Sequence, residues 1–189
     1  DAGAGVLILE KVPKKFEGGN SIVSGQSFFS PEPKEPAMEY FKALCEMGGP
    51  GRLDMPEHMI EVWAEEMGKN YELVRSLGGK PYEMPVANPE FPELPGALEC
   101  SHMYTMGMFA TGATYNLFRT QVDKRGISVL YETPAKRLIQ DPDTNEILGD
   151  VAERGGRDVN IKARRAVVLT CGGFENGEEL SRKYLPYLN

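Results

Sequence analysis

The chain has 189 residues, 41% of them hydrophobic, and a formal net charge of −7, enough length for one well-buried domain or one domain carrying an inserted module. The acidic balance argues against a nucleic-acid groove, which needs clustered Lys and Arg, and no apolar run reaches the ~18 to 20 residues that span a bilayer. Cys45, Cys100 and Cys171 lack CxxC spacing and only His58 and His102 join them, so neither a disulfide framework nor a metal site is expected, and reduced thiols fit a cytoplasmic protein.

The chain opens on Asp1-Ala2-Gly3-Ala4-Gly5, with no initiator Met, and reads as an internal piece of a longer protein. Val6 to Leu9 is an unbroken apolar run after small residues, the pattern of a strand buried on both faces of a parallel sheet. It ends in Glu10-Lys11 and gives way to a Pro/Lys/Gly loop. Residues 21–30, rich in Ser, Gly and Phe, show no clear period.

Pro31, Pro33 and Pro36 form a stiff junction. Tyr40, Phe41, Leu44 and Met47 then recur at helical spacing up to Gly48-Gly49. A second helix is expected from Pro56, a favoured first-turn residue near a capping Asp54, with Met59, Ile60, Trp63 and Met67 on one face. Tyr71, Val74 and Leu77 either extend that face or form another helix before Gly78-Gly79. Residues 80–96 are Pro-rich and expected to be irregular. Another helix is expected over 111–125, with Leu117, Phe118 and Val122 apolar and Gly126 at its stop. Alternating Ile127, Val129 and Tyr131, and later Val159, Ile161 and Ala163, mark strands. The turn signals Asp141-Pro142-Asp143 and Arg154-Gly155-Gly156-Arg157 predict an antiparallel meander over 135–162. A second apolar run, Ala166 to Leu169, reads as another buried strand leading to Cys171-Gly172-Gly173-Phe174.

The acidic strand end carries chemistry. In dinucleotide-binding βαβ units a carboxylate at a strand end accepts hydrogen bonds from ribose hydroxyls. By itself such a glutamate reads first as a solvated strand end. The Gly-rich turn expected about 20 residues earlier would lie upstream of Asp1. Gly172-Gly173 after an apolar run would let a ligand approach the backbone closely, or would make an ordinary strand-to-helix turn. His102 and Tyr104, in a Met-rich stretch, could face a substrate, but the packed reading is the simpler one.

Val6 to Lys11, Gly18-Gly19-Asn20-Ser21 and Ser24-Gly25, followed in order by Thr133-Pro134-Ala135, Ala163 to Leu169 and Cys171 to Glu175, resemble the FAD-binding flavoproteins of the fumarate reductase/succinate dehydrogenase family. The soluble branch, with flavocytochrome fumarate reductases, urocanate reductases and 3-ketosteroid dehydrogenases, is the most similar. The resemblance implies an α/β fold: a partial Rossmann-like FAD-binding domain over 1–34 and 106–189, with a β-meander, and a helical insertion over 35–105. It also implies an oxidoreductase that binds FAD and a small-molecule substrate and moves hydride between flavin N5 and an activated carbon–carbon bond. Glu10, with Lys11 beside it, would hold the adenosine ribose. Gly19, Asn20, Ser21, Ser24 and Gly25 would line the pyrophosphate-to-isoalloxazine stretch, Ala135 would meet adenine, and Cys171 and Gly172 would lie near the adenosine diphosphate. Members that attach FAD covalently carry a His near the position of Ser21, so non-covalent FAD is implied. The family's catalytic acid and carboxylate clamps have no positions here to map onto. A non-catalytic FAD-binding fragment and a nicotinamide-dependent dehydrogenase are the competing readings; the latter leaves the Gly-Gly-Asn-Ser loop and the meander unexplained.

Overall fold

A computed structural model describes residues 3–47, 54–84, 89–174 and 176–185. The packing divides the chain into two units, Asp1–Asn20 with Ser128–Asn189, and Ser21–Ile127. Gly48-Gly49, expected to end a helix, and Glu175, which closes the last segment of the family resemblance, lie outside the described residues.

The first unit holds two sheets. Strand β1, Leu7–Leu9, pairs in parallel with β5, Ser128–Leu130, in the register Leu7↔Ser128 to Leu9↔Leu130. A 3₁₀ turn, Lys14–Phe16, follows β1. The second sheet is the expected meander: β6 (Ala135–Gln140), β7 (Ile147–Arg154) and β8 (Arg157–Lys162) pair antiparallel in that order. Its turns form for the reasons read from the sequence. The Asp141 carboxylate accepts the N–H groups of Asp143 and Thr144, each at 2.9 Å, which holds that carboxyl below its ordinary range. Gly155 and Gly156 close the β7–β8 hairpin with φ of +59° and +73°, a conformation that glycine adopts without a Cβ clash. The central strand β7 carries the buried side chains Asp150, Val151 and Ala152, and Thr133 is buried in the same unit. Helix α7, Glu178–Tyr184, has acidic residues in its first turn and basic ones in its last, matching the helix dipole.

Two expectations fail here. Val6 and Leu7 are 50% and 43% exposed, so β1 is not covered on both faces. Residues 166–170 form no strand, and Val168 and Leu169 are 79% and 64% exposed. An apolar run becomes a strand only by pairing its backbone N–H and C=O groups. Among the described residues β1 pairs with β5 alone and no strand pairs with 166–170.

In the second unit, α1 (Gly19–Val23, beginning at the unit boundary) leads to β2, Ser27–Phe29. Helices α2 (Lys34–Glu46), α3 (Glu57–Gly68) and α4 (Asn70–Ser76) follow, so Val74 lies on a separate helix. Strand β3 (Tyr82–Glu83), α5 (Ala97–Cys100), β4 (Met103–Thr105) and α6 (Ala113–Lys124) complete it. The core of this unit is a cluster of Ala37, Tyr40, Ala64, Ala97 and Cys100, with Phe29, Met38, Leu44, Trp63 and Leu94 packed around it. Small residues at Ala37, Ala64 and Ala97 let the helices approach, and Trp63 stacks on Phe41 with ring centroids 4.3 Å apart. The α5 N-cap, Gly96, sits where a Cβ would fall 2.0 Å from the Pro36 carbonyl oxygen, so glycine is required for the α2–α5 contact.

A three-stranded antiparallel sheet in the order β2-β4-β3 accompanies these helices, with Phe28 opposite Tyr104 and Glu83 opposite Tyr104. The sequence showed no period here. Strands of two or three residues are too short to display one, and they are held by partners far away in the chain. Ser30 Oγ donates to Gly68 O at 2.8 Å and accepts Tyr71 N–H at 3.2 Å, fastening the end of β2 to the α3–α4 junction.

Candidate functional site

Glu10 stands one residue beyond β1, and the ladder continues through it: its N–H donates to Leu130 O, and Thr133 N–H donates to its carbonyl, both at 2.9 Å. Thr133 is fully buried and turns its hydroxyl to Tyr131 O at 2.8 Å. Tyr131 OH in turn hydrogen-bonds the Glu17 carboxylate. These contacts bring the residue expected at the ribose beside the segment that opens the meander at Ala135. Ala135 is exposed and pairs with Ala152. Glu10 Oε1 accepts Val12 N–H at 3.0 Å, which aims the carboxylate and leaves its second oxygen able to accept from ligand hydroxyls. Lys11 is exposed beside it.

Gly19 opens α1 with φ +46°, and nothing lies within 4 Å of where its Cβ would be; Gly172, at φ +78°, is equally open. Both offer bare backbone to a ligand, and Asn20 is exposed on α1 next to Gly19. Cys171 is an exposed free thiol, whereas Cys45 and Cys100 are buried. Cys171 and Gly172 lie outside any strand, as the unpaired state of 166–170 requires.

The second unit holds Ser21, Ser24 and Gly25, gathered around a residue the sequence reading passed over. Gln26 is 1% exposed with φ +59°. Its Nε2 lies 3.0 Å from Ser24 O, 3.1 Å from Ser21 O and 3.1 Å from Ser24 Oγ. Its Oε1 accepts Thr114 N–H at 3.0 Å in the first turn of α6. That N-terminus is capped by Gly112, which has no side chain of its own to satisfy the first N–H groups. The Gln26 carbonyl accepts Met106 N–H at 3.0 Å and the Thr114 hydroxyl at 3.3 Å. The Ser24 hydroxyl donates to Ser21 O at 3.1 Å and accepts Gln26 N–H at 3.3 Å, so it is spent inside the turn. Gly25 has its open side against the Phe109 ring, 3.2 Å from an ideal Cβ, and Ala110 N–H donates to Ser24 O at 3.1 Å. A glutamine at positive φ gives no signal in sequence, because Gly and Asn are the residues that position favours.

His102 and Tyr104 take the packed reading. His102 Nδ1 lies 3.2 Å from Glu83 Oε1, and Tyr104 stacks with Phe28 and lies 4.5 Å from the Tyr71 ring centroid. Burial, followed by the negative charge of Glu83, pushes the Tyr104 hydroxyl above its ordinary value.

A carboxylate ending a parallel strand, joined by backbone hydrogen bonds to the start of a β-meander and accompanied by exposed glycines, marks a dinucleotide-binding α/β domain. The residues fit FAD: an aimed carboxylate for the ribose, and backbone at Gly19 and Gly172 with open space where a Cβ would stand. Residues 2–188 match the family model described as FAD binding domain, and the chain belongs to that family. It is similar to a 3-oxosteroid 1-dehydrogenase of Comamonas testosteroni, with 36% identity over 66 residues, which is 35% of this chain and 11% of the relative. Among solved structures it resembles a 3-ketosteroid Δ1-dehydrogenase of Sterolibacterium denitrificans in complex with 1,4-androstadiene-3,17-dione (TM-score 0.75, 18% identity, 96% of this chain and 45% of the other). It likewise resembles a 3-ketosteroid Δ4-(5α)-dehydrogenase of Rhodococcus jostii RHA1 (TM-score 0.68, 21% identity, 97% and 44%). A flavocytochrome c3 fumarate reductase in its open conformation also matches (TM-score 0.71, 21% identity, 98% and 32%). The three solved structures share this chain's fold. The chain spans less than half the length of each of these proteins.

Proposed function

We propose that this chain is the cofactor-holding part of an FAD-dependent oxidoreductase, binding FAD non-covalently through Glu10, the backbone of residues 19–25, Ala135 and residues 171–172. The observation that carries the reading is Glu10: a carboxylate at the end of β1, aimed by Val12 N–H and hydrogen-bonded through its backbone to residues 130 and 133, in a chain whose length matches an FAD-binding family. When bound, FAD supplies hydride transfer at N5, here to or from an activated carbon–carbon bond. Glu10 would accept hydrogen bonds from the ribose hydroxyls through the carboxylate oxygen that Val12 N–H leaves open. Gly19 and Gly172 admit the diphosphate close to backbone N–H groups. Backbone N–H groups of residues 21–25 would favour a ring that becomes electron-rich on reduction. Ser21, rather than a His, supports a cofactor held without a covalent link. Lys11, exposed next to Glu10, supplies positive charge near the adenylate.

A second reading of the reaction, desaturation next to a ketone, is favoured by the 36% identity to a 3-oxosteroid 1-dehydrogenase over 66 residues. Both reactions use the same flavin site and a small-molecule substrate. Calorimetric titration of the chain with FAD and, separately, with NADH tests the cofactor. The expected result is saturable FAD binding and none with NADH. Saturable NADH binding with no FAD uptake refutes the proposal.

A further inference from the structure

The Gln26 side chain is hydrogen-bonded at both ends of its amide, and none of those bonds belongs to the proposed cofactor contacts. A turn residue at φ +59° is most easily a glycine, since any Cβ is strained there. A buried glutamine in that place must be explained by its amide. The amide has two N–H hydrogens, and the acceptors around it are the carbonyl oxygens of Ser21 and Ser24, the Ser24 hydroxyl and, at 3.5 Å, the Ile22 carbonyl oxygen. All four belong to residues 21–24, whose backbone is expected to run along the flavin. Carbonyl oxygens turned toward a ring that gains negative charge on reduction would oppose that charge, whereas N–H groups favour it. The opposite end of the amide takes Thr114 N–H, so the same side chain fixes this turn to the first turn of α6.

We infer that Gln26 is a positioning residue for the cofactor-binding turn: its Nε2 holds the carbonyl oxygens of Ser21 and Ser24 inside the turn, while its Oε1 anchors the turn to α6. The inference rests on the FAD reading and adds to it a residue with no expected cofactor contact. It requires the donor end of the amide, not merely a side chain of that size.

Gln26→Glu separates these requirements. Glutamate has the same shape, but at neutral pH it replaces the donor with a second acceptor facing two carbonyl oxygens. That surrounding raises its pKa, and once protonated its O–H can donate in place of the lost N–H. Gln26→Gly removes the amide while relieving the strained φ. FAD affinity is measured by titration at about pH 7.5 and about pH 5, with thermal midpoints and amide hydrogen exchange of residues 21–25 and 114 recorded on the cofactor-free chains. The expected result for Gln26→Glu is about tenfold weaker FAD binding at the higher pH, most of it recovered at the lower pH, with faster exchange over 21–25 that is likewise rescued by acid. Gln26→Gly is expected to bind FAD weakly at both pH values although it remains folded. Wild-type affinity in either variant, or weak binding by Gln26→Glu that acid does not rescue, overturns the donor role. If the wild-type chain takes up no FAD, the cofactor reading fails by itself. The exchange data then decide the positioning claim separately, which falls if Gln26→Glu leaves protection of 21–25 unchanged.

Discussion

Replacing Asp150 with valine is expected to stabilise the chain at neutral pH. Asp150 sits on β7, the middle strand of the meander, between Leu138 and Ile161, and is 7% exposed. Its Oδ2 is buried without a hydrogen-bond partner among the described residues. Burial raises its pKa above the ordinary 3.8, with the Val151 N–H opposing in part. An unpartnered buried polar group costs about 1–3 kcal/mol, and valine also suits a strand covered on both faces, a preference worth up to ~1 kcal/mol. The net gain expected is about 1–3 kcal/mol. In calorimetry this corresponds to about 4–8 °C per kcal/mol if the meander melts with a unit of some 80 residues, and about half that if the whole chain melts together. The pH dependence has a definite sign. Because the native carboxyl holds its proton more tightly than the unfolded one, the contribution of Asp150 to stability is greatest below the ordinary value and declines as pH rises through the raised native value. The difference between valine variant and wild type should therefore grow from acid to neutral pH and then level off. Asp150→Asn, which keeps the size and removes the charge, should recover the pH-dependent part alone. A valine variant less stable than wild type at pH 7, or a difference that does not change with pH, refutes the account of Asp150.

Gly149→Ala should have the opposite effect on the same strand, because its Cβ would fall 2.1 Å from the Ile161 carbonyl oxygen on β8; a loss of about 2–3 kcal/mol is expected by denaturant titration. With a thiol reagent under native conditions, Cys171 should react fast, and Cys45 and Cys100 only on unfolding, since both are buried and burial pushes the Cys100 thiol up to about 11. Gly96→Ala should make Cys100 reactive in the folded chain, because the added methyl collides with the Pro36 carbonyl where α5 meets α2. Unchanged labelling of Cys100 in that variant would contradict the packing described.

Helices α2, α3 and α4 were legible because burial gives them a period: Tyr40, Ile60 and Val74 are buried as their spacing suggested, although Met47 and Met59, expected on the same faces, are exposed and α6 buries none of its side chains. The meander was legible because its turns are local chemistry, an Asp141 carboxylate and a pair of glycines. The β2-β4-β3 sheet was not, since Phe28 meets Tyr104 only through pairing across the chain. The same cause misled the reading of 166–169, whose apolar composition matches a strand while its pairing partners decide whether one forms. At the candidate site, Glu10 could be read from its place after an apolar run. Gln26 could not, because its function lies in contacts with Ser21, Ser24 and Thr114, the last 88 residues away.

The central claim is that Glu10 holds the adenosine ribose of FAD. Comparing FAD with FMN, which lacks the adenylate half, in wild type and Glu10→Ala measures this directly. Wild type should bind FAD more tightly than FMN. Glu10→Ala should lose about 10- to 100-fold in FAD affinity, as expected for charge-assisted hydrogen bonds, while its FMN affinity stays unchanged. Equal affinity of wild type for the two flavins, or a Glu10→Ala chain that binds FAD as wild type does, would contradict the account.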